Sequence, residues 1–253
     1  MASPQNEPAS DNAKQQVGQK RGRQGGRQAR LARQKTGGLS DKTLIEKGLA
    51  NYTRPPTPEK VCVIACGALV HEIMDIIRFN AFEHIAVTCL PAILHNEPSK
   101  IVPAMEKAIH AARVAGFGHV FCGYADCGTG GELDRLLTRE NVSRLPGAHC
   151  YQFFSGSEAF AANSERDMRA FYLTDFLARH FDGLTWRPLG LDRHPELLAD
   201  YFGAYEKLVF LSQTDDADLL ARAKNIAKRL GLDFDHRKTG YGDLSRALHV
   251  LPK

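Results

Sequence analysis

Thiol and imidazole side chains recur in the middle of the sequence, each a few residues after an apolar run. Four of them follow different runs: Cys66, His95, Cys127 and Cys150. Thiolate and neutral imidazole are the ligands that zinc prefers, with three or four protein ligands in each site. These four side chains therefore predict a Cys₃His zinc site. If all four bind the metal the site is structural, whereas a coordination position left to water or substrate makes it catalytic.

The other three cysteines have a simpler interpretation. Cys62 and Cys122 lie inside apolar runs, and Cys89 does the same, so we expect them in the core as small hydrophobic residues. The sequence has no CxxC pair, and the closest cysteines are four and five residues apart. The alternative to a metal site is that the remaining thiols are three unrelated buried cysteines. A histidine such as His95 is commonly a core or capping residue, and its position beside the thiols is what favours a ligand.

The segment FCGYADCGTGG (residues 121–131) has the glycines of a tight turn between a strand and a helix. Its glycine spacing, GxxxxGxGG, fits neither the dinucleotide-binding fingerprint nor the P-loop. Glycine lets backbone approach a ligand closely, so we predict that Gly128, Thr129 and Gly130 contact whatever is bound beside Cys127. Thr129 is also predicted to cap the helix that follows. The turn is therefore interpreted as presenting Cys127 rather than holding a nucleotide.

Two carboxylates near these thiols are candidates for catalytic acid–base chemistry. Glu72 lies in the helical pattern after Cys66, and Asp126 directly precedes Cys127. Either side chain can move a proton or hold a metal ligand in position. Each also has a simpler interpretation, since Glu72 fits a solvated helix face and Asp126 fits a turn in which it bonds its own backbone.

The elements that must position these residues alternate between strands and helices. The β-branched apolar run at residues 61–65 is typical of a buried strand, and residues 68–79 have helical periodicity. Further strands are predicted at 84–90, 118–124, 148–154, 208–212 and 232–236, and further helices at 98–115, 132–139, 157–182, 194–205, 215–230 and 242–250. This alternation predicts an α/β fold with a mainly parallel, doubly wound, Rossmann-like sheet and helices on both faces. Ligands of such sheets bind at the carboxyl ends of the strands, where the four zinc candidates lie.

The composition is that of an ordinary globular protein. Apolar residues make up 43% and charged residues 25% of the 253 residues. No apolar run reaches the roughly 18–20 residues of a membrane span, and the N-terminus lacks the apolar core of a signal peptide. We therefore expect a cytoplasmic protein without membrane association, with its six cysteines reduced. A disulfide scaffold is not expected, because a chain of this length has core enough without one.

The basic residues are concentrated at the N-terminus. Residues 14–35 carry eight basic and no acidic side chains. The net charge of residues 1–50 is +6, against −2 for residues 51–253. Such a segment suits docking to an acidic partner, while its lack of aromatic residues argues against nucleic acid. The pattern does not indicate an oligomeric state.

The same segment sets the predicted domain boundary. It is rich in Gly, Gln, Arg and Ser and cannot bury a core, so we predict a disordered arm with a proline-containing linker at residues 1–59. A short helix near residues 28–34 is the exception expected within it. The folded domain is predicted at residues 60–253.

Five segments in this order carry a resemblance to a known family: ACGALVHEI, CLPAILHNEP, GYADCGTGG, PGAHCYQFFSGS and FYLTDFL. Together they resemble the DUF1638 family of uncharacterised proteins over about residues 60–250. The resemblance implies that the family's cysteine and histidine pattern is carried here by Cys66, His95 with Asn96, Tyr124 with Cys127, and His149 with Cys150.

The resemblance also implies a functional context. Proteins of this family are often encoded beside corrinoid proteins and methylamine- or betaine-type methyltransferases. We therefore expect a zinc-binding protein of corrinoid-dependent one-carbon metabolism that supports methyl transfer, with the corrinoid carried by a partner. That partner, a corrinoid protein or methyltransferase, is expected to dock on the basic arm. The alternative is a non-catalytic accessory protein that uses its metal for stability or docking.

Overall fold

Strands and helices alternate along the described part of the chain, residues 40–252, in this computed structural model. The strands are β1 (Val61–Cys66), β2 (Ile85–Leu90), β3 (His119–Gly123), β4 (Ser143–Arg144), β5 (Ala170–Thr174), β6 (Lys207–Ser212) and β7 (Asp233–Lys238). The α-helices are α1 (Asp41–Glu46), α2 (Val70–Phe79), α3 (Ile101–Ala115), α4 (Glu132–Arg139), α5 (Cys150–Ser155), α6 (Ser157–Ala162), α7 (Asp175–Phe181), α8 (Leu198–Phe202), α9 (Ala217–Leu230) and α10 (Gly242–His249). A π-helical turn, Asp182–Trp186, follows α7, and short 3₁₀ segments include Gly67–Leu69 and Ala92–Asn96.

The strands form two parallel sheets rather than one. The first has the order β2-β1-β3-β4 and the second the order β5-β6-β7. Val61 of β1 pairs with Ile85 on one side and His119 on the other, which fixes the register of the first sheet. The predicted α/β class, with parallel strands and flanking helices, is confirmed.

Side chains of β1 alternate between two cores, one on each face of the first sheet. Val61 and Val63 pack with the apolar face of α2, whereas Cys62 and Ile64 pack with α3. In α3 the buried residues recur at the spacing of one helix face: Ile101, Met105, Ile109 and Ala112. Helices therefore cover both faces of the sheet and leave the carboxyl ends of its strands for a site.

The second sheet has its own apolar layer. Leu173 of β5 and Leu208 and Phe210 of β6 are buried with the apolar faces of α7 and α9. Helix α9 begins after Asp216, whose side chain accepts two amide hydrogen bonds, and ends at Gly231 in the left-handed conformation. Within residues 40–252, no helix has both the length and the apolar character needed to cross a membrane.

Two predicted elements differ from the observed ones. The predicted strand at 148–154 is helix α5, which buries Phe153 and Phe154. A short apolar run of this kind does not distinguish strand from helix by periodicity. The predicted helix at 157–182 is interrupted by β5, which pairs with β6. Long-range pairing of this kind overrides local helical preference.

The folded part begins earlier than the predicted boundary at residue 60. Helix α1 packs on the domain through Leu44, which is completely buried. Leu49 then forms an antiparallel bridge to Cys89 at the edge of the first sheet. Helix α1 therefore belongs to the same compact unit as the sheets. Most of the predicted arm, with the short helix expected near 28–34, lies outside the described residues.

Candidate metal centre

A small cavity lies at the carboxyl ends of strands from both sheets. Cys66 ends β1, Tyr124 follows β3 and Thr174 ends β5, and all three side chains line the cavity. Its volume is about 20 Å³, which is room for one ion or one water molecule. The rest of the lining is mainly apolar, and the structure places all four predicted zinc ligands in it: Cys66, His95, Cys127 and Cys150.

The remaining three thiols pack in the core. Cys62 and Cys122 are fully buried within strands, and Cys89 is 5% exposed. Their neighbours are the apolar residues on the two faces of the first sheet. This is the placement that the sequence predicts for core cysteines.

Cys127 is held in an unusual backbone conformation. Its φ is +49°, in the left-handed region that non-glycine residues rarely adopt, and Gly128 follows with φ +84°. The amides of Asp126 and Cys127 donate hydrogen bonds to the carbonyls of Gly147 and Ala148 at 3.0 and 2.9 Å. These bonds join the turn after β3 to the segment that leads into α5. They explain why thiols from two distant segments line one cavity.

Burial favours the protonated form of the cavity thiols. Loss of water raises the pKa of Cys127 to about 12, and the nearby Cys66 thiol adds to the rise. Burial likewise raises the pKa of Cys66, and it raises the pKa of Cys150 well above the usual range, with Cys127 adding to that effect. The three thiols are therefore close enough to perturb one another. A bound cation reverses this balance because it stabilises the thiolate form.

His95 lies at the rim of the cavity. It belongs to the 3₁₀ segment after β2, and the neighbouring Asn96 donates a hydrogen bond from Nδ2 to the Leu184 carbonyl at 3.0 Å. That bond connects the first sheet to the π-helical turn beside the second. His95 is exposed on one side, but partial loss of water at the cavity lowers its pKa, and the nearby His149 lowers it further. The neutral imidazole that results is the form that binds a metal.

Two further polar groups lie close to the thiols. The Tyr124 side chain is 2% exposed and its hydroxyl lies against the Cys66 thiol. Within the described residues, that hydroxyl makes no hydrogen bond. Glu72 on α2 is 3% exposed, and its charge contributes to the raised pKa of Cys150. Glu72 is therefore not on a solvated helix face, and a catalytic role for it stays a prediction.

Comparison with known proteins identifies the family. A family model described as a protein of unknown function (DUF1638) matches residues 89–248. The chain belongs to the DUF1638 family. The matched region of this DUF1638 protein contains His95, Cys127 and Cys150 and begins after Cys66. No curated protein and no solved structure matches the chain.

Asp126 of the DUF1638 domain is engaged by its own turn. Its carboxylate accepts hydrogen bonds from the Thr129 hydroxyl at 2.6 Å and from the amides of Gly130 and Gly131 at 3.2 and 2.9 Å. Burial alone would raise the pKa of Asp126, but these hydrogen bonds bring it below its usual value. The geometry is that of a turn residue bonding nearby backbone. A catalytic role for Asp126 stays a prediction.

The other predicted residues of this turn also have conformational reasons for their type. Gly128 and Gly130 have φ values of +84° and +62°, and a Cβ on Gly128 would come within 3.3 Å of Pro98. The Thr129 hydroxyl accepts a long hydrogen bond, 3.4 Å, from the Leu133 amide in α4. Contact of these three residues with a bound ligand stays a prediction.

A second group of metal-type ligands lies elsewhere on the DUF1638 domain. One ligand atom each from Glu106, His110 and Glu140 lie within 4.8 Å of one another. Among residues 40–252 this group alone meets that distance, so no three ligand atoms of the cavity residues lie as close together. Arg113 and Arg139 form ion pairs at 2.5 Å with the carboxylates of Glu140 and Glu106. These arginines compete with any cation at the second group.

The sequence pattern misses the contribution of the second sheet to the cavity. Thr174, Leu177 and Leu184 line it, although periodicity places the first two within one long helix. The run AFYLT at residues 170–174 is rich in aromatic and β-branched residues. That composition, which is typical of strands, is the signal that reveals β5.

Proposed function

We propose that this protein binds one zinc ion through Cys66, Cys127 and Cys150 and uses it to support methyl transfer in corrinoid-dependent one-carbon metabolism. The observation that carries the proposal is the cavity in which three thiols and one imidazole from separate segments converge. Unrelated core cysteines would have no reason to share one cavity at the carboxyl ends of parallel strands, where α/β proteins bind their ligands.

The donor set favours zinc over harder cations. Thiolate and imidazole suit zinc, whereas Mg²⁺ and Ca²⁺ prefer carboxylate and carbonyl oxygens. The second group, Glu106, His110 and Glu140, is dominated by carboxylates that already pair with arginines. In the cavity, apolar neighbours such as Leu69 and Ile101 limit the access of water.

The remaining polar groups have distinct roles in this proposal. His95 lies at the rim, where its imidazole either completes a four-coordinate site or borders a position open to substrate. The Tyr124 hydroxyl lies against the Cys66 sulfur, where it can orient the thiolate form. Glu72, buried near Cys150, accepts the proton that an incoming thiol must lose.

Zinc supplies the lowered pKa that keeps a thiol substrate ionised. The thiolate sulfur then forms a bond to the methyl carbon, and the bond between that carbon and its donor breaks with the electron pair left on the donor. With a methylcorrinoid of a partner protein as donor, the bonding pair would remain with the corrinoid, and the product would be a methyl thioether. The corrinoid part is supported by the family resemblance, and an acidic docking partner by the net charge of +6 on residues 1–50.

Metal analysis of the purified protein tests the zinc site. We expect about one zinc per chain, lost in Cys127→Ser and retained in Cys62→Ala, which removes a thiol outside the cavity. His110→Ala is the control for the second group and should also retain zinc. Only trace metal in the wild type would sink the zinc proposal. Loss of metal in His110→Ala alone would move the site to the second group.

The small cavity volume, about 20 Å³, favours a second candidate, an accessory protein with a closed structural site. X-ray absorption of the zinc form separates the two, because a closed shell has four protein ligands and a catalytic one has an exchangeable ligand. In the accessory case Cys127→Ser mainly lowers the melting temperature. In the catalytic case it abolishes methyl transfer from methylcorrinoid to thiol while the domain still folds. A stable Cys127→Ser variant with full activity would contradict both candidates.

A further inference from the structure

The thiol cavity is too small and enclosed for a substrate to enter without movement. Its volume of about 20 Å³ admits one ion or water molecule. A thiol or a methyl donor is several times larger, so part of the wall must open during any reaction there. The question is which element of the wall moves.

Helix α1 packs on the segments that form this wall. The Leu44 carbonyl lies so close to Gly67 that a Cβ on Gly67 would come within 2.3 Å of its oxygen. Ile45 belongs to an apolar cluster with Ala92 and Leu184, both of which line the cavity. The helix therefore covers the segments after β1 and β2 together with the π-helical turn.

One carboxylate joins this helix to a helix of each sheet. Asp41 Oδ1 lies 2.5 Å from His71 Nε2 on α2, and Asp41 Oδ2 lies 2.7 Å from His180 Nε2 on α7. Helix α2 packs on the first sheet and α7 on the second. Partial burial alone would raise the pKa of Asp41, but the two imidazoles hold it well below its usual range. The carboxylate is therefore ionised when it bridges the two histidines.

The helix also has the features of a segment that can detach. It has six residues, too few to be stable alone, so its position depends on its contacts with the domain. Gly48 follows with φ +69° and is buried where a Cβ would come within 2.3 Å of the Cys89 carbonyl oxygen, so the chain is fixed from Gly48 onward and the helix before it can turn. Leu49 then pairs with the edge of the first sheet, so the chain beyond Gly48 stays fixed.

We propose that α1 is a lid on the thiol cavity and that Asp41 is its latch. The purpose of the lid rests on the proposed function, because opening of α1 would let a substrate reach the enclosed site. Release of Asp41 from His71 and His180 frees the helix to swing about Gly48. The basic arm directly precedes α1 in the chain, so an acidic partner that binds the arm can displace the helix and break the contacts of Asp41.

Thiol alkylation of the metal-free, full-length chain tests the lid. Modification by N-ethylmaleimide is followed at each cysteine by mass spectrometry in the wild type, Asp41→Asn and Glu46→Gln. Glu46 is exposed on the same helix, so its variant is the matched control. We expect Asp41→Asn to raise the rates by about tenfold or more, because charge-assisted hydrogen bonds are lost. The affected residues are the cavity thiols: Cys66, Cys127 and Cys150.

The core thiols distinguish lid opening from unfolding. Cys62 and Cys122 are fully buried in strands, so their rates should stay at the wild-type value in Asp41→Asn. Unchanged rates at the cavity thiols would overturn the lid, and so would a parallel rise at the core thiols. If Asp41→Asn does not fold, His180→Gln releases one side of the latch and is judged by the same ratio of rates. Absence of zinc from the wild type would refute the proposed function and leave this test of the lid intact.

Discussion

The backbone conformation at Cys127 favours glycine, whereas a metal site there requires a sulfur atom. A pair of substitutions measures the strain that results. The residue has φ +49°, where a side chain with a Cβ is strained by roughly 1–2 kcal/mol relative to glycine. Cys127→Gly and Cys127→Ala both remove the sulfur. The difference between them therefore reports the backbone.

The expected difference follows from two opposing terms. Relief of strain favours glycine, while the greater conformational freedom of glycine in the unfolded chain costs it about 0.5–1 kcal/mol relative to alanine. The balance leaves Cys127→Gly about 0.5–1 kcal/mol more stable than Cys127→Ala. Ala125 is completely buried and lies outside the left-handed region, so Ala125→Gly is the control with the opposite sign. It should destabilise the domain by about 1–2 kcal/mol, because glycine loses more conformational freedom on folding than alanine and because the buried methyl group is removed.

Urea unfolding of the metal-free variants, followed by circular dichroism, measures these differences as shifts of the midpoint at constant slope. A Cys127→Gly variant no more stable than Cys127→Ala would refute the reasoning, because the left-handed conformation would then carry no strain. The expected result would mean that this position holds cysteine for its sulfur, since glycine suits the backbone better.

Two further predictions concern the N-terminus and an ion-pair cluster. Deleting residues 1–39 should leave the melting temperature unchanged, whereas deleting residues 1–50 should lower stability by about 2 kcal/mol or more, because the buried Leu44 is lost. Equal melting of the two truncations would contradict this. Hydrogen bonds from Arg237 hold the pKa of Asp167 well below its usual value. This carboxylate therefore stabilises the fold above about pH 4. The stabilisation is lost as the pH falls through the pKa of Asp167 in the folded state. Asp167→Asn should therefore cost more stability at neutral pH than at about pH 2–3, and a pH-independent difference in urea midpoints would argue against the pairing.

Local composition predicts where the strands end, because the end of each strand depends on a short run of residues. The β-branched run of β1 is buried on both faces, and Cys66 is the last residue of the strand, at its carboxyl end. Cys150 reaches the same cavity for a reason that the sequence does not reveal. It is the first residue of α5, not part of a strand, and hydrogen bonds from the Cys127 turn to the preceding segment hold it there.

The second sheet and the lid depend on contacts between distant parts of the chain. Phe171 of β5 pairs with Leu208 of β6, and Asp41 meets His180 across 139 residues. Periodicity describes which face of an element is apolar, but it carries no information about which partner covers that face. In the sequence, Asp41 falls within the predicted disordered arm, residues 1–59. Its role as a bridge between two histidines follows only from the tertiary arrangement.

The origin of the cavity residues bears on the choice between a structural and a catalytic metal. The thiols of Cys66 and Cys127 follow strands of the first sheet, and Cys150 is joined to them through the Cys127 turn. Wall residues on the second-sheet side include Leu177 and Leu184, and helix α5, which begins at Cys150, contacts both β5 and β6. A metal bound by these thiols would therefore link the two sheets, as a structural ion does, while the apolar wall would exclude water from it, as a site of reaction requires. The number of protein ligands in the zinc form then decides between the two roles.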